Sequence, residues 1–223
     1  TPDAAWMSLR PTPPVPDYYQ VLFYPPLEAN GSTVACAGES VLVSDDEGTT
    51  WNEVPLRNRG LATAMTFASD ARILVGRQDG RIFSIDRADD GTWAEARWIG
   101  RPRHAYLSDL LVQPGFERFW ATYSAVGGEH VFASTDDGKK WEDMTSNLDD
   151  IPVNAIEADP QAPDRVWLAT DLGVFQSTDA GANWSKFGQG LPQALAVDLV
   201  FHAELRLLRV GTRSRGVWEI DIT

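Results

Sequence analysis

Eight arginines fall in the polar stretches between short apolar runs: Arg57, Arg59, Arg77, Arg81, Arg101, Arg103, Arg213 and Arg215. They are half of the chain's sixteen, and all three lysines, Lys139, Lys140 and Lys186, lie elsewhere. A guanidinium is a planar fork of donors that matches a carboxylate or phosphate two bonds at a time, so a convergent set would make an anion-binding pocket. His104 and Tyr106 stand beside two of these arginines, and a tyrosine there would offer a stacking face. The plainer reading is that arginine takes the surface positions lysine usually fills. The same stretches hold Asp79, Glu129 and Asp171. Two carboxyl groups about 5–10 Å apart across a pocket are what glycoside hydrolysis requires. Against that, acidic residues number 32 here, and loop carboxylates are usually solvated.

Composition narrows the alternatives. A net charge of −13 disfavours nonspecific binding to nucleic acid or to anionic membranes. The single Cys36 excludes an intramolecular disulfide framework, and its apolar run suits a buried, inert thiol. No metal-ligand cluster, phosphate loop or nucleophile elbow appears, so no cofactor is expected. No apolar run approaches the ~20 residues of a spanning helix, so membrane insertion is not expected. A mature secreted chain and a cytoplasmic one would look alike here; we take a secreted or periplasmic location and a monomer as the working expectation.

What would position these side chains is a repeated turn. Ser134-Thr135-Asp136-Asp137-Gly138-Lys139-Lys140-Trp141 reads as a tight turn: Asp136 accepts from backbone amides further on, Gly138 takes a positive φ, and Trp141 folds back as an apolar plug. Ser44, Asp46, Gly48 and Trp51 keep the same spacing, as do Ser177, Asp179, Gly181 and Trp184. A stretched copy ends at Trp93. The tryptophans at 51, 93, 141 and 184 are 42, 48 and 43 residues apart. Such a period suits a four-stranded unit of ~40–50 residues.

The motif resembles the Asp-box (BNR) repeat, S-x-D-x-G-x-x-W, of sialidases and many other β-propellers. The resemblance implies an all-β fold, a single five-bladed β-propeller of four-stranded antiparallel blades over residues 1–223. The fifth period comes from Trp6, 45 residues before Trp51. Ala5-Trp6-Met7-Ser8-Leu9 reads as a fourth strand without a third, and Gly216-Val217-Trp218-Glu219-Ile220-Asp221-Ile222 as a third without a fourth. Pairing them would close the ring and hide both sheet edges. A fragment of a larger ring is the competing reading. Blades are expected at 19–56, 64–99, 107–144, 153–187 and 197–222. Blade one would begin with strand 19–24, and blade two would end with strand 93–99.

In such a blade the repeated turns all lie on one face, where the resemblance makes them structural. Ligands of similar propellers sit over the central channel on the other face, which would carry the arginine loops, Asp79, Glu129 and Asp171. Sialidases also hold their substrate with three arginines and use a Tyr–Glu nucleophile with an acid/base Asp; only Ser8-Leu9-Arg10-Pro11 echoes their first arginine segment. The chain is therefore not expected to be a catalytic sialidase. The function expected is binding of a glycan or other anionic ligand. The alternatives are a glycoside hydrolase using two of Asp79, Glu129 and Asp171, and a protein-interaction scaffold, since Asp-box propellers also resemble photosystem assembly factors and sorting-receptor ectodomains.

Overall fold

The computed structural model describes residues 22, 25–57, 60–113 and 115–222. The described residues form strands and no helix, in five consecutive antiparallel sheets. Blade one is β1 (Leu27–Asn30), β2 (Thr33–Ala37), β3 (Ser40–Ser44) and β4 (Asn52–Pro55). Blade two is β5 (Ala62–Ser69), β6 (Arg72–Arg77), β7 (Ile82–Asp86) and β8 (Arg97–Gly100). Blade three is β9 (Leu107–Val112), β10 (Phe119–Tyr123), β11 (Val131–Ser134) and β12 (Glu142–Asp143). Blade four is β13 (Val153–Ala158), β14 (Val166–Thr170), β15 (Gly173–Ser177) and β16 (Ser185–Lys186). Blade five has three described strands: β17 (Ala196–His202), β18 (Leu207–Thr212) and β19 (Gly216–Asp221). No described sheet closes on itself, and the closing strand expected at residues 5–9 lies outside the described residues.

One strand expectation falls outside the described residues and another needs correction. Of the strand expected at 19–24 only residue 22 is described, and the first described strand of blade one is Leu27–Asn30, after Pro25-Pro26. Proline cannot donate to a ladder, so the pair marks where pairing starts, and the two-residue loop Gly31-Ser32 turns the chain into β2. Blade two's outer strand starts at Arg97. The stretched turn lets Trp93 form only an isolated bridge with Arg87.

The middle strands are continuous apolar runs because both their faces are covered. Every residue of β3, β10, β11 and β14 is buried, while the two-residue outer strands β12 and β16 are exposed. Apolar cores fill the four seams between consecutive blades. Trp141 plugs the seam between blades two and three, and Trp184 the next.

The turns that present these tryptophans are built alike in the three regular copies. The Ser44, Ser134 and Ser177 hydroxyls each accept from the glycine amide four residues on, at 2.7, 3.0 and 2.8 Å, and donate to the Asp46, Asp136 and Asp179 carboxylates. Each carboxylate also accepts the amide four residues ahead, from Thr50, Lys140 or Asn183. These bonds hold the Asp46 carboxyl down at about 2, with the Thr50 amide the largest cause, and lower Asp136 and Asp179 likewise. The Trp51 and Trp141 indoles donate back to Gly48 and Gly138, whereas Trp184 donates across the seam to the Met144 carbonyl at 2.8 Å.

The inner strands show a second, quieter repeat. Near the start of β5, β9, β13 and β17 a residue is skipped in the ladder, leaving Thr63, Ser108, Asn154 and Val197 as bulges. The first three donate to the next blade's inner strand: Thr63 to the Leu107 carbonyl, Ser108 to Val153 and Asn154 to Ala196. A bulge thus re-aims one polar side chain per blade to stitch adjacent blades. Close approach also shapes the loops. Gly80 has φ +82, and a Cβ there would sit 1.9 Å from the Arg103 carbonyl oxygen. Gly80→Ala is expected to cost several kcal/mol in urea denaturation, against only about 1 kcal/mol for Gly91→Ala, whose φ is +85 but which faces open space.

Candidate functional site

On the face opposite the repeated turns, the end of blade one and the outer half of blade two enclose an open groove of about 620 Å³. Its walls carry Arg57, Arg81, Arg97 and Arg101, with Trp98, Phe83 and Glu95 between them. Each comes from a different local device. Arg57 follows β4, Arg81 leads into β7, Arg97 and Trp98 lie on the outer strand β8, and Arg101 follows it. An outer strand has no neighbouring sheet beyond it, so Trp98 stays 62% exposed, its indole tied to the Gly100 carbonyl at 3.0 Å.

Three of the four guanidinium groups have carboxylate partners. Arg57 meets Glu95 at 2.5 Å, Arg81 pairs with Asp79, and Arg97 lies 3.5 Å from Asp86. The Arg57–Glu95 pair is mostly solvent-exposed on both sides, so water screens it and an incoming anion can displace Glu95 at little cost. Arg101 is exposed and makes no hydrogen bond or ion pair among the described residues. An exposed indole beside an unpaired guanidinium suits a ring that carries an anionic group.

The structure sorts the remaining expected residues into different places. Arg77 is fully buried, donates to the Arg57 carbonyl at 2.9 Å and lies over the Phe83 ring, so it supports the groove wall from behind. Arg103 donates to the carbonyls of Ala125, Val126 and Glu129, bracing blade three's loop. Asp150 holds the same loop from the other side through the Gly127 amide and buried His130. Arg213 and Arg215 sit exposed on the β18–β19 turn, away from the groove's lining, with Trp218 donating to the Arg215 carbonyl. His104 is exposed, and Tyr106 is 42% exposed. Arg59 lies outside the described residues.

The three expected acids are engaged separately. Asp79 pairs with Arg81 in its own loop, Asp171 accepts from Asn154 at 3.0 Å, and Glu129 is exposed beside the loop tip. Tyr123 is buried, donates to the Gly80 carbonyl and meets Phe132 edge-on at 5.5 Å.

A set of acids not anticipated lies on the inner strands. Asp109 accepts the Ile156 amide from the next blade at 2.9 Å, and Glu157 accepts Phe201 similarly at 3.4 Å. Burial, reinforced by Glu157 and Asp198, pushes the Asp109 carboxyl up to about 7. Burial, with Asp198, raises Glu157 to about 7 as well. Burial, and after it the charge of Asp198, also raise Glu28 on β1. The signal for these residues was an acid inside an otherwise apolar strand. For Trp98 and Arg97 it was a second tryptophan just beyond the stretched turn.

No family model matches the chain, and neither does any curated protein. Among solved structures it is similar to the Cps50 (Swd1) β-propeller domain of Myceliophteria thermophila, with a TM-score of 0.65 and 14% identity, covering 87% of this chain and 64% of that one. The fold is a β-propeller. The propeller is also similar to an ancestral GH74 enzyme, with a TM-score of 0.66 and 18% identity over 83% of this chain and 27% of that one. A third similar structure is YCF48 bound to D1 peptide, with a TM-score of 0.64 and 14% identity over 88% of this chain and 62% of that one. In each case the chain spans less than two thirds of the matched structure.

Proposed function

We propose that this propeller is a binding protein of the Asp-box, sialidase-like type, and that its blade-two groove takes the acidic sugar of a glycan. The shared hydrogen-bond set of the three Ser-x-Asp-x-Gly-x-x-Trp turns supports the first part. The observation that carries the second is Arg101, without a partner among the described residues, beside exposed Trp98 in a groove with three further arginines. The indole face would stack on the apolar side of a sugar ring while Arg101 and Arg57 grip its carboxylate. The groove is assigned binding and not turnover, because Glu95 is the single acid among its described lining residues and glycoside hydrolysis needs two.

Calorimetry with a uronic-acid oligosaccharide, a sialylated oligosaccharide and a neutral one tests this. Acidic sugars are expected to bind, and Arg101→Ala and Trp98→Ala to weaken them at least tenfold, while Arg213→Ala leaves them unchanged. Equal affinity for the neutral sugar, or full affinity in both groove variants, would defeat the reading. A second reading, docking of a protein segment, is favoured by the blade-three loop. Arg103 and Asp150 pre-shape it, and its tip presents Val126 at 66% exposure.

A further inference from the structure

Four arginines and one glutamate line the blade-two groove, a surplus of three positive charges on a chain whose net charge is −13. How each guanidinium is already answered decides what the groove can still take. Arg81 is satisfied within its own loop, where Asp79 pairs with the side chain and also accepts the Arg81 amide at 3.3 Å. Arg57 has the exposed carboxylate of Glu95. Arg97 is answered only in part. Its partner Asp86 sits against Arg72 at 2.5 Å and reaches Arg97 at 3.5 Å. The Arg97 side chain is 51% exposed, against 31% for Arg72. Arg101 has no partner among the described residues.

A single carboxylate does not use up this set. Its two oxygens offer about four lone-pair sites, which two guanidinium forks fill. With Arg57 and Arg101 on the carboxylate of an acidic sugar, Arg97 is left with one long contact. Arg97 precedes Trp98 on β8, and Arg101 follows the end of that strand. A second anion held by Arg97 would thus be carried by the ring stacked on Trp98 or by the next ring of the glycan. A sulfate ester suits the position because it brings one charge, whereas a phosphate monoester brings about two. Arg97 already shares Asp86, so one further charge is enough.

We propose that the ligand of this groove is a sulfated uronic-acid glycan, with its carboxylate on Arg57 and Arg101, a sugar face on Trp98 and a sulfate ester on Arg97. This rests on the glycan reading of the groove and narrows the ligand from one anionic group to two.

Calorimetry with two uronic-acid tetrasaccharides of one backbone, sulfated and unsulfated, tests it at about 0.15 M salt. The sulfated one is expected to bind about tenfold tighter, the gain from a charge-assisted bond. Arg97→Ala should bring it down to the unsulfated affinity and leave the unsulfated ligand unchanged, whereas Arg101→Ala weakens both. Arg97→Lys keeps the charge without the fork and should recover part of the loss. Arg215→Ala, outside the groove lining, should change neither. A sulfated ligand bound no more tightly than its match, or a gain that persists in Arg97→Ala, would overturn this inference and leave the glycan reading standing. Failure of both acidic ligands to bind would overturn the two together.

Discussion

Asp159→Ala is expected to destabilise the protein by about 3 kcal/mol at neutral pH, the lower end of the range for breaking a buried ion pair. The Asp159 side chain is fully buried and accepts both Arg206 terminal nitrogens, at 2.8 and 2.6 Å, one from Arg165 at 3.3 Å, and the Gln161 amide at 2.9 Å. Arg206 belongs to blade five, lies 5.0 Å over the Phe201 ring and reaches the Ile222 carbonyl, so the cluster ties the last two blades. Removing the carboxylate leaves two guanidinium groups facing each other, but both keep some solvent contact, which limits the cost. Arg206, as the chief cause, holds the Asp159 carboxyl below its ordinary value. A depressed carboxylate stabilises the fold above its unfolded value and loses that contribution as pH falls through the folded one. The gap between wild type and variant in urea denaturation should therefore narrow as pH falls below the ordinary aspartate value near 4. A loss under about 1 kcal/mol at pH 7 would show that the seam does not depend on the cluster.

The inner-strand carboxyls act in the opposite sense. Asp109 and Glu157 are raised to about 7, so the folded protein binds protons more tightly there than the unfolded chain does. Their contribution is most favourable below the unfolded values near 4 and is lost as pH rises through about 7. Wild-type stability should thus decline between pH 5 and pH 8. The double variant Asp109→Asn with Glu157→Gln should flatten that decline, recovering about 2 kcal/mol per site at pH 8 after allowance for coupling and partial exposure. Asparagine keeps one acceptor oxygen for the Ile156 amide, so the stitch between blades can persist. The charges in play are those of Asp109, Glu157 and Asp198, the last of which also raises Glu28. Denaturation midpoints across pH 5–8 with an unaltered slope in the double variant would remove these two groups as its source.

Much of the architecture could be read before folding is considered, because its devices are short. The Ser134 hydroxyl, Asp136 carboxylate and Gly138 amide meet within four residues, so their spacing alone announces the turn. The same local rule passed over Leu27–Asn30, whose four residues pair as the first described strand of blade one. Strand identity there depends on pairing with β2, a relation no short window contains.

The sequence by itself determined the repeat, its period and the all-β class. Those follow from hydrogen bonds and φ preferences confined to a few neighbouring residues. The tertiary structure alone decided that Arg77 is buried and Arg103 clamps carbonyls, whereas Arg57, Arg81, Arg97 and Arg101 gather around Trp98. It also decided that Asp109 and Glu157 are held in seams between blades. The reason is physical: burial and charge partners come from strands ~40 residues apart, and which side chains meet across a seam depends on how the blades pack.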